Sequence, residues 1–312
     1  MKELTLFSVD TPYRQPLHVK AYSFGNPEKK SLAIVGALRG NEIQQMYICS
    51  QLVKKFTELE RDGLLADDFG MLIIPCANQF SMNVGRRFWA ADNTDINRMF
   101  PGYSEGETTQ RIADGLFSAI KDYTYGFHFT SHYLNGDCAS SVRTLYTGYE
   151  DESEAADLGL PFITVRDPRP YDTTTLNYNW QIWDTAAYSI YSGHTEEIDT
   201  ASAEQMVKAV MHFLEKKGML RGETPAMCES PRIFRENVLC SLVNSCGGIL
   251  VKRKKAGDRL AKDEVIAEIL DPSDGRVLET LASPADGTLF FMHRHDIISG
   301  HEIAARVLPD GE

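Results

Sequence analysis

The stretch Ser31-Leu-Ala-Ile-Val-Gly-Ala-Leu-Arg-Gly-Asn-Glu42 decides how this chain folds. Ser31–Leu38 is apolar and partly β-branched, as a strand buried on both faces requires. Arg39-Gly40 then breaks the run in a tight turn. Asn41 can cap a following helix that carries Ile43, Met46, Tyr47, Leu52, Val53, Phe56 and Leu59 on one face and stops at Gly63. Strand, glycine turn and helix in that order put the turn beyond a strand's carboxyl end, where layered α/β proteins gather their ligands. Two charged residues occupy the turn. Glu42 opens the helix, where the dipole favours an acid whatever its role. Arg39 carries a permanent positive charge and offers no acceptor.

Outward from this unit, short apolar runs keep alternating with amphipathic segments. Met71–Cys76, Tyr125–Thr130, Pro161–Val165 and Ala187–Tyr191 read as further strands. Thr108–Tyr123 and Glu204–Lys216 read as helices, the latter closing before Gly218. The alternation predicts an α/β layered domain over residues 1–225. Near Gly222-Glu-Thr-Pro225 the pattern changes. Residues 226–312 hold short alternating strands separated by Gly, Asp and Pro turns, an all-β module. It resembles the barrel-sandwich fold of lipoyl and biotinyl carriers, but no modifiable lysine stands at the tip those carriers use. The basic run Lys252–Lys255 reads as a solvated strand end, because acids follow it closely.

A chain of 312 residues with 43% hydrophobic content can bury cores for two domains. Its net charge of −12 argues against nucleic acid or an anionic membrane surface as partner. No stretch approaches the roughly 18 apolar residues of a membrane span, and the N-terminus turns acidic too soon for a signal peptide. The six cysteines are scattered at 49, 76, 138, 228, 240 and 246 without a Cys-x-x-Cys pair, which predicts reduced thiols in a cytoplasm.

The order Gly40-Asn-Glu42, Asp95-Ile-Asn-Arg-Met-Phe-Pro-Gly102 and His128 resembles the succinylglutamate desuccinylase/aspartoacylase family of zinc carboxypeptidase-like hydrolases. The resemblance runs over nearly the whole chain, and the Asp95–Gly102 piece is its most specific part. It implies an α/β/α domain with a mixed sheet, followed by a small β domain that narrows the mouth of the site. It also implies zinc, held by a His and a Glu of a Gly-x-His-Gly-x-Glu turn and by a later His in Asp-x-His. In this chain the first His position is Arg39, which cannot ligate a metal. Glu42 and His128 match the other ligands, and the acid two residues before His128 is replaced by Gly126. His132, four residues on, is a candidate substitute ligand. The family's base, a Glu in Glu-x-Gly, aligns with Tyr191 of Tyr191-Ser-Gly193, a phenol whose ordinary pKa of about 10 suits it poorly to take a proton from water. Glu196 and Glu197 follow close behind. The family's Arg, Asp and Asn-Arg spacing matches Arg87, Asp92 and Asn97-Arg98, and the resemblance implies that the two arginines and the asparagine engage a substrate carboxylate and polarise the scissile carbonyl; a guanidinium fork matches two carboxylate oxygens.

Two functions remain open on these residues. In one, the chain descends from metallohydrolases, zinc catalysis is impaired at Arg39 and Tyr191, the Arg39 guanidinium fills the metal's space beside Glu42, and Arg39, Arg87 and Arg98 form a pocket for a small anionic, N-acyl amino acid-like ligand. In the other, it is an active zinc amide or ester hydrolase using Glu42, His128 and His132. Homo-oligomer formation is left open by the sequence.

Overall fold

In the computed structural model, which describes residues 1–10 and 15–311, the chain divides into two units. The first comprises Met1–Ser131 and Ser141–Ile233, and the second His132–Ser140 and Phe234–Glu312.

The first unit is built on a mixed sheet. Its strands are β1 (Lys2–Val9), β2 (Leu17–Gly25), β3 (Leu32–Ala37), β4 (Gly70–Cys76) and β5 (Tyr125–Phe129). β6 (Gly136–Cys138) leaves for the second unit, and β7 (Ser141–Leu145), β8 (Phe162–Arg166), β9 (Ala186–Tyr191) and β10 (Arg232–Arg235) complete the set. The spatial order is β1-β2-β4-β3-β5-β9-β7-β8-β10. β4, β3, β5 and β9 run parallel to one another, whereas β7 meets β9 antiparallel. The helices are α1 (Ile43–Arg61), α2 (Gln79–Asn83), α3 (Thr108–Ile120), α4 (Glu152–Ala156), α5 (Leu176–Ile182) and α6 (Thr200–Lys216).

Strand side chains alternate between two cores. Ile34, Ile73, Phe127, Phe129, Val142, Ile163 and Ile190 pack under α1 and α6 with Ile48, Leu52, Phe56, Met206, Val210 and Phe213. On the opposite face Ala33, Val35, Leu72, Ile74 and Ala187 meet Ile112, Leu116 and Ile120 of α3 and Leu176 and Trp180 of α5. The three-layer α/β/α arrangement with a mixed sheet follows from this period-two alternation.

The strands and helices read from the sequence are present, with ends shifted by a few residues. The start and inner face of α1 differ. Glu42, not Asn41, takes the N-cap position, and Asn41 donates instead to Glu196 Oε1 at 2.8 Å. Gln44 and Gln45 are buried in place of Ile43, Met46 and Tyr47. Their amides explain this: Gln44 exchanges hydrogen bonds with the Asp199 backbone at 3.0 Å in both directions, and Gln45 donates to the His194 carbonyl at 3.2 Å. Buried amides are stable when so satisfied.

The second unit carries β11 (Cys240–Val243), β12 (Gly248–Lys252), β13 (Arg259–Leu260), β14 (Val265–Leu270), β15 (Val277–Ala282), β16 (Gly287–His293), β17 (Ile297–Ile298) and β18 (Ile303–Pro309). One antiparallel sheet runs β11-β18-β16-β13, with β6 added beside β16; the other runs β15-β14-β12-β17. Leu250, Ile266, Ile269, Leu289, Ala305 and Val307 fill its core. The basic run after β12 is solvated as its sequence suggests, with Lys252 on Asp296, Arg253 on Glu268 and Lys254 on Glu264. Among the described residues no helix is long and apolar enough to cross a membrane.

Candidate active site

The turn after β3 closes through Gly40. A Cβ there would lie 2.3 Å from the Arg86 carbonyl and 2.4 Å from the Ser81 backbone, so only glycine lets the turn approach that loop. The Gly40 N–H donates to the Arg87 carbonyl at 2.9 Å, which seats Arg39 and Glu42 side by side at the carboxyl end of the sheet.

Glu42 is fully buried, and both of its oxygens are occupied by donors. Oε2 accepts from the Leu38 and Arg39 N–H groups, each at 3.0 Å. Oε1 accepts from Ser131 N–H at 2.9 Å, Ser131 Oγ at 2.7 Å, Thr130 Oγ1 at 3.3 Å and Arg39 Nη1 at 3.2 Å. Arg39 is 4% exposed, and its remaining nitrogens go to Asp95, with Nη2 at 2.9 Å and Nε at 3.2 Å from Oδ2. Asp95 is in turn fixed by accepting the Asn97 N–H at 3.0 Å. Burial by itself would raise the Glu42 and Asp95 carboxyls; Arg39 beside them and the hydrogen bonds outweigh it, and both are held below the usual carboxylate range. Burial likewise works against the Arg39 charge, but the two acids hold its pKa above its ordinary value.

His128 is the penultimate residue of β5, beneath α5. Its Nδ1 lies 3.1 Å from Asn177 Oδ1, while Nε2 is buried without a protein partner. Burial pulls its pKa down to about 4 against the attraction of Glu42, so the ring is neutral at neutral pH. Gly126, two residues earlier on the same face, lies under Trp180: a Cβ there would come within 2.7 Å of the indole. The ring of α5 thus fills the space that an acid at 126 would need.

The other residues singled out from the sequence are placed as follows. Asn97 is buried and accepts the Leu176 N–H on Oδ1 at 3.0 Å, joining the Asp95–Met99 turn to the start of α5. Arg98 donates to the Asn97 carbonyl at 2.8 Å and lies over the Tyr171 ring at 5.8 Å. Arg87 is half-buried over Phe88, and Asp92 is exposed, its Oδ1 accepting the Thr94 N–H. Tyr191, at the end of β9, is 3% exposed and lies under the Arg143 guanidinium at 5.0 Å. Glu196 and Glu197 are exposed. His132 belongs to the second unit, where its ring stacks on Tyr133 and Phe291 and its Nδ1 accepts the Leu134 N–H at 3.2 Å. Asp95 as an ion-pair partner, and Thr130, Ser131, Asn177 and Arg143 in any role, are residues that the sequence motifs miss. Only Asp95 carries a signal, because it opens the motif that contains Asn97 and Arg98.

This donor set does not fit a zinc ion. A zinc centre needs lone pairs converging from about three protein ligands. Glu42 already directs its oxygens at six donors, and a guanidinium stands where a cation would have to approach them. Among the described residues no three His, Cys, Asp or Glu side chains gather closely enough to hold a metal.

The model of the succinylglutamate desuccinylase/aspartoacylase catalytic domain matches residues 28–140. The chain is 21% identical over 262 residues to an N-alpha-acetyl-L-2,4-diaminobutyric acid deacetylase of Halomonas elongata, covering 78% of this chain and 71% of that protein. Among solved structures, a succinylglutamate desuccinylase from a Silicibacter species superimposes with a TM-score of 0.79 at 16% identity, over 98% of this chain and 92% of the other. The product-bound ectoine utilization protein EutE of Ruegeria pomeroyi gives 0.76 at 17% identity, again over 98% and 92%. At these identities the structural likeness establishes the zinc carboxypeptidase-like fold.

Proposed function

Because the chain belongs to the succinylglutamate desuccinylase/aspartoacylase family, we propose that it binds a small N-acyl amino acid-like carboxylate on a deacylase scaffold and does so without zinc-activated water. One observation carries this reading: the Arg39 guanidinium bridges Glu42 and Asp95 inside the protein, in the turn where the family resemblance expects a metal ligand. A divalent ion placed there would face a fixed cation and a carboxylate with no lone pair to spare. The phenol of Tyr191 at the expected base position points the same way. The likeness to a deacetylase of an acetylated amino acid supports the ligand class. Six free cysteines support a reducing compartment such as the cytoplasm. The alternative, a zinc centre from Glu42, His128 and His132, loses support because the first is saturated and the ring of the last is engaged by its own neighbours.

Metal analysis of protein purified without chelator tests the reading directly. The expected result is zinc far below one ion per chain, with Arg39→His raising zinc affinity because it returns an imidazole to the turn. Stoichiometric zinc in the wild-type chain, lost on Glu42→Gln, overturns it.

A further inference from the structure

One rung of the sheet below the Arg39–Glu42 cluster, four adjacent strands carry polar side chains in a row. Register pairs His128 of β5 with Ser189 of β9, Ser189 with Arg143 of β7, and Arg143 with Thr164 of β8. Strands lie about 4.8 Å apart and paired residues share a face, so the row is continuous. Its face is the one under α5, since the alternating neighbours Val142, Ile163 and Ile190 point into the α1–α6 core. Apolar residues ordinarily fill such a position.

Arg143 is the member without an evident structural partner. Its Nε is buried with no hydrogen-bond acceptor, and its guanidinium rests on the Tyr191 ring. Among the described residues no carboxylate ion-pairs with it. Around it, His128 Nε2, Asn177 Nδ2 and Thr164 Oγ1 are also buried without protein partners. The charges nearby do not balance either. Arg39 is taken up by Glu42 and Asp95, and Arg166 by Asp172. Arg98 is attracted by Asp95 and Asp172 and repelled by Arg39 and Arg143. Neither Arg98 nor Arg143 is left with a carboxylate of its own, and of the two Arg98 still donates to the Asn97 carbonyl, whereas the Arg143 side chain makes no hydrogen bond among the described residues. Arg143 is half-buried, and a partly desolvated guanidinium with no carboxylate of its own is free to pair with one brought by a ligand.

We propose that Arg143 is the residue that grips the ligand's carboxylate, through its guanidinium fork, with the Tyr191 ring holding the fork flat and His128 Nε2 on the same face of the sheet. This rests on the carboxylate-binding reading above and narrows it: one guanidinium fork selects acids with a single carboxylate. Asn97 and Arg98 then serve to dock the Asp95–Met99 turn on α5 and Tyr171, and the specificity lies on β7.

The test uses the full chain with acetate and N-acetyl-L-alanine as probes and N-acetyl-L-alaninamide as the uncharged control, followed by calorimetry and thermal shift. Arg143→Met is expected to weaken binding of both acids about tenfold or more, to leave the amide unchanged, and to keep the ligand-free Tm within about 2 °C of wild type, because this half-buried guanidinium has no carboxylate partner to lose. Arg143→Lys, which keeps the charge and loses the fork, falls between. A merely structural arginine would give the opposite, a lower Tm with unchanged affinity, and that result overturns the assignment. Acid binding retained in Arg143→Met but lost in Arg98→Met also overturns it while leaving the carboxylate-binding reading standing. A wild-type chain that neither binds the two acids nor gains Tm in acetate sinks both.

Discussion

Replacing Arg39 by Met removes one buried cation and exposes what it compensates. The side chain makes five polar contacts, two to Asp95, one to Glu42, and one each to Thr130 Oγ1 and Ser131 Oγ. Glu42 would keep its backbone and hydroxyl donors, whereas Asp95, whose side chain is 14% exposed, would keep only the Asn97 N–H among these bonds. Breaking a buried ion pair by removing one partner costs about 3–5 kcal/mol. For a unit of this size that corresponds to a fall in Tm of roughly 10 °C. The pH dependence carries more information than the size. In the wild type Arg39 holds both carboxyls below their unfolded values of about 4, so their contribution is present above that pH and fades as pH falls through the folded values. In the variant, burial raises them, and the stability they contribute is lost as pH rises. The gap between the two proteins is therefore widest at neutral pH and closes on acidification. Adding Asp95→Asn to the variant should recover about half of the loss, because the amide oxygen can still accept from Asn97. Glu42→Gln should recover nothing, since an amide nitrogen would face donors on either side. Urea unfolding of the four proteins from pH 4 to pH 8 checks this; a deficit below about 1 kcal/mol, or one that is flat with pH, refutes the ion-pair account.

Two further outcomes follow from the same face of the sheet. Gly126→Ala would push a methyl into the Trp180 indole and is expected to destabilise by about 2 kcal/mol, measured by denaturant unfolding; a neutral effect would mean that α5 moves away at no cost. His128 should titrate near 4 when followed by NMR. Its folded pKa lies below its unfolded value of about 6.5, so the stability it contributes is complete above that pH and is lost as pH falls toward 4, by about 3 kcal/mol in all. Titration near 6.5 would show that the ring reaches water.

How far the sequence alone reaches depends on the range of each interaction. The Ser31–Glu42 unit is legible because strand, glycine turn and helix are local patterns, and Arg39 and Glu42 stand three residues apart. Asp95, 56 residues from its partner, has no local mark that distinguishes an ion-pair acid from a turn acid. Gln44 and Gln45 defeat a reading of helix faces by hydropathy, because their burial depends on backbone groups about 150 residues away. Arg143 is hidden for a related reason: Ser141–Leu145 mixes polar and apolar residues like a surface strand, and only the register with β8 and β9 shows that it is an inner one.

The identity of residue 39 also decides where an anion can bind. A divalent metal held by one glutamate would leave a net positive centre, suited to polarising a carbonyl or receiving an oxyanion. Arg39 supplies a single charge, and Glu42 and Asp95 together outweigh it, so the turn after β3 is a net negative node with every nitrogen of the guanidinium facing an acceptor or a hydroxyl. An incoming carboxylate is repelled there. Arg143, one rung down on β7, has no carboxylate partner among the described residues and is where we propose that the acid binds. On the reading proposed above, the scaffold would recognise an acid through Arg143 without activating water against it. Restoring histidine at 39 alone therefore returns a ligand to the turn without returning a base at 191, and metal binding should reappear without hydrolysis.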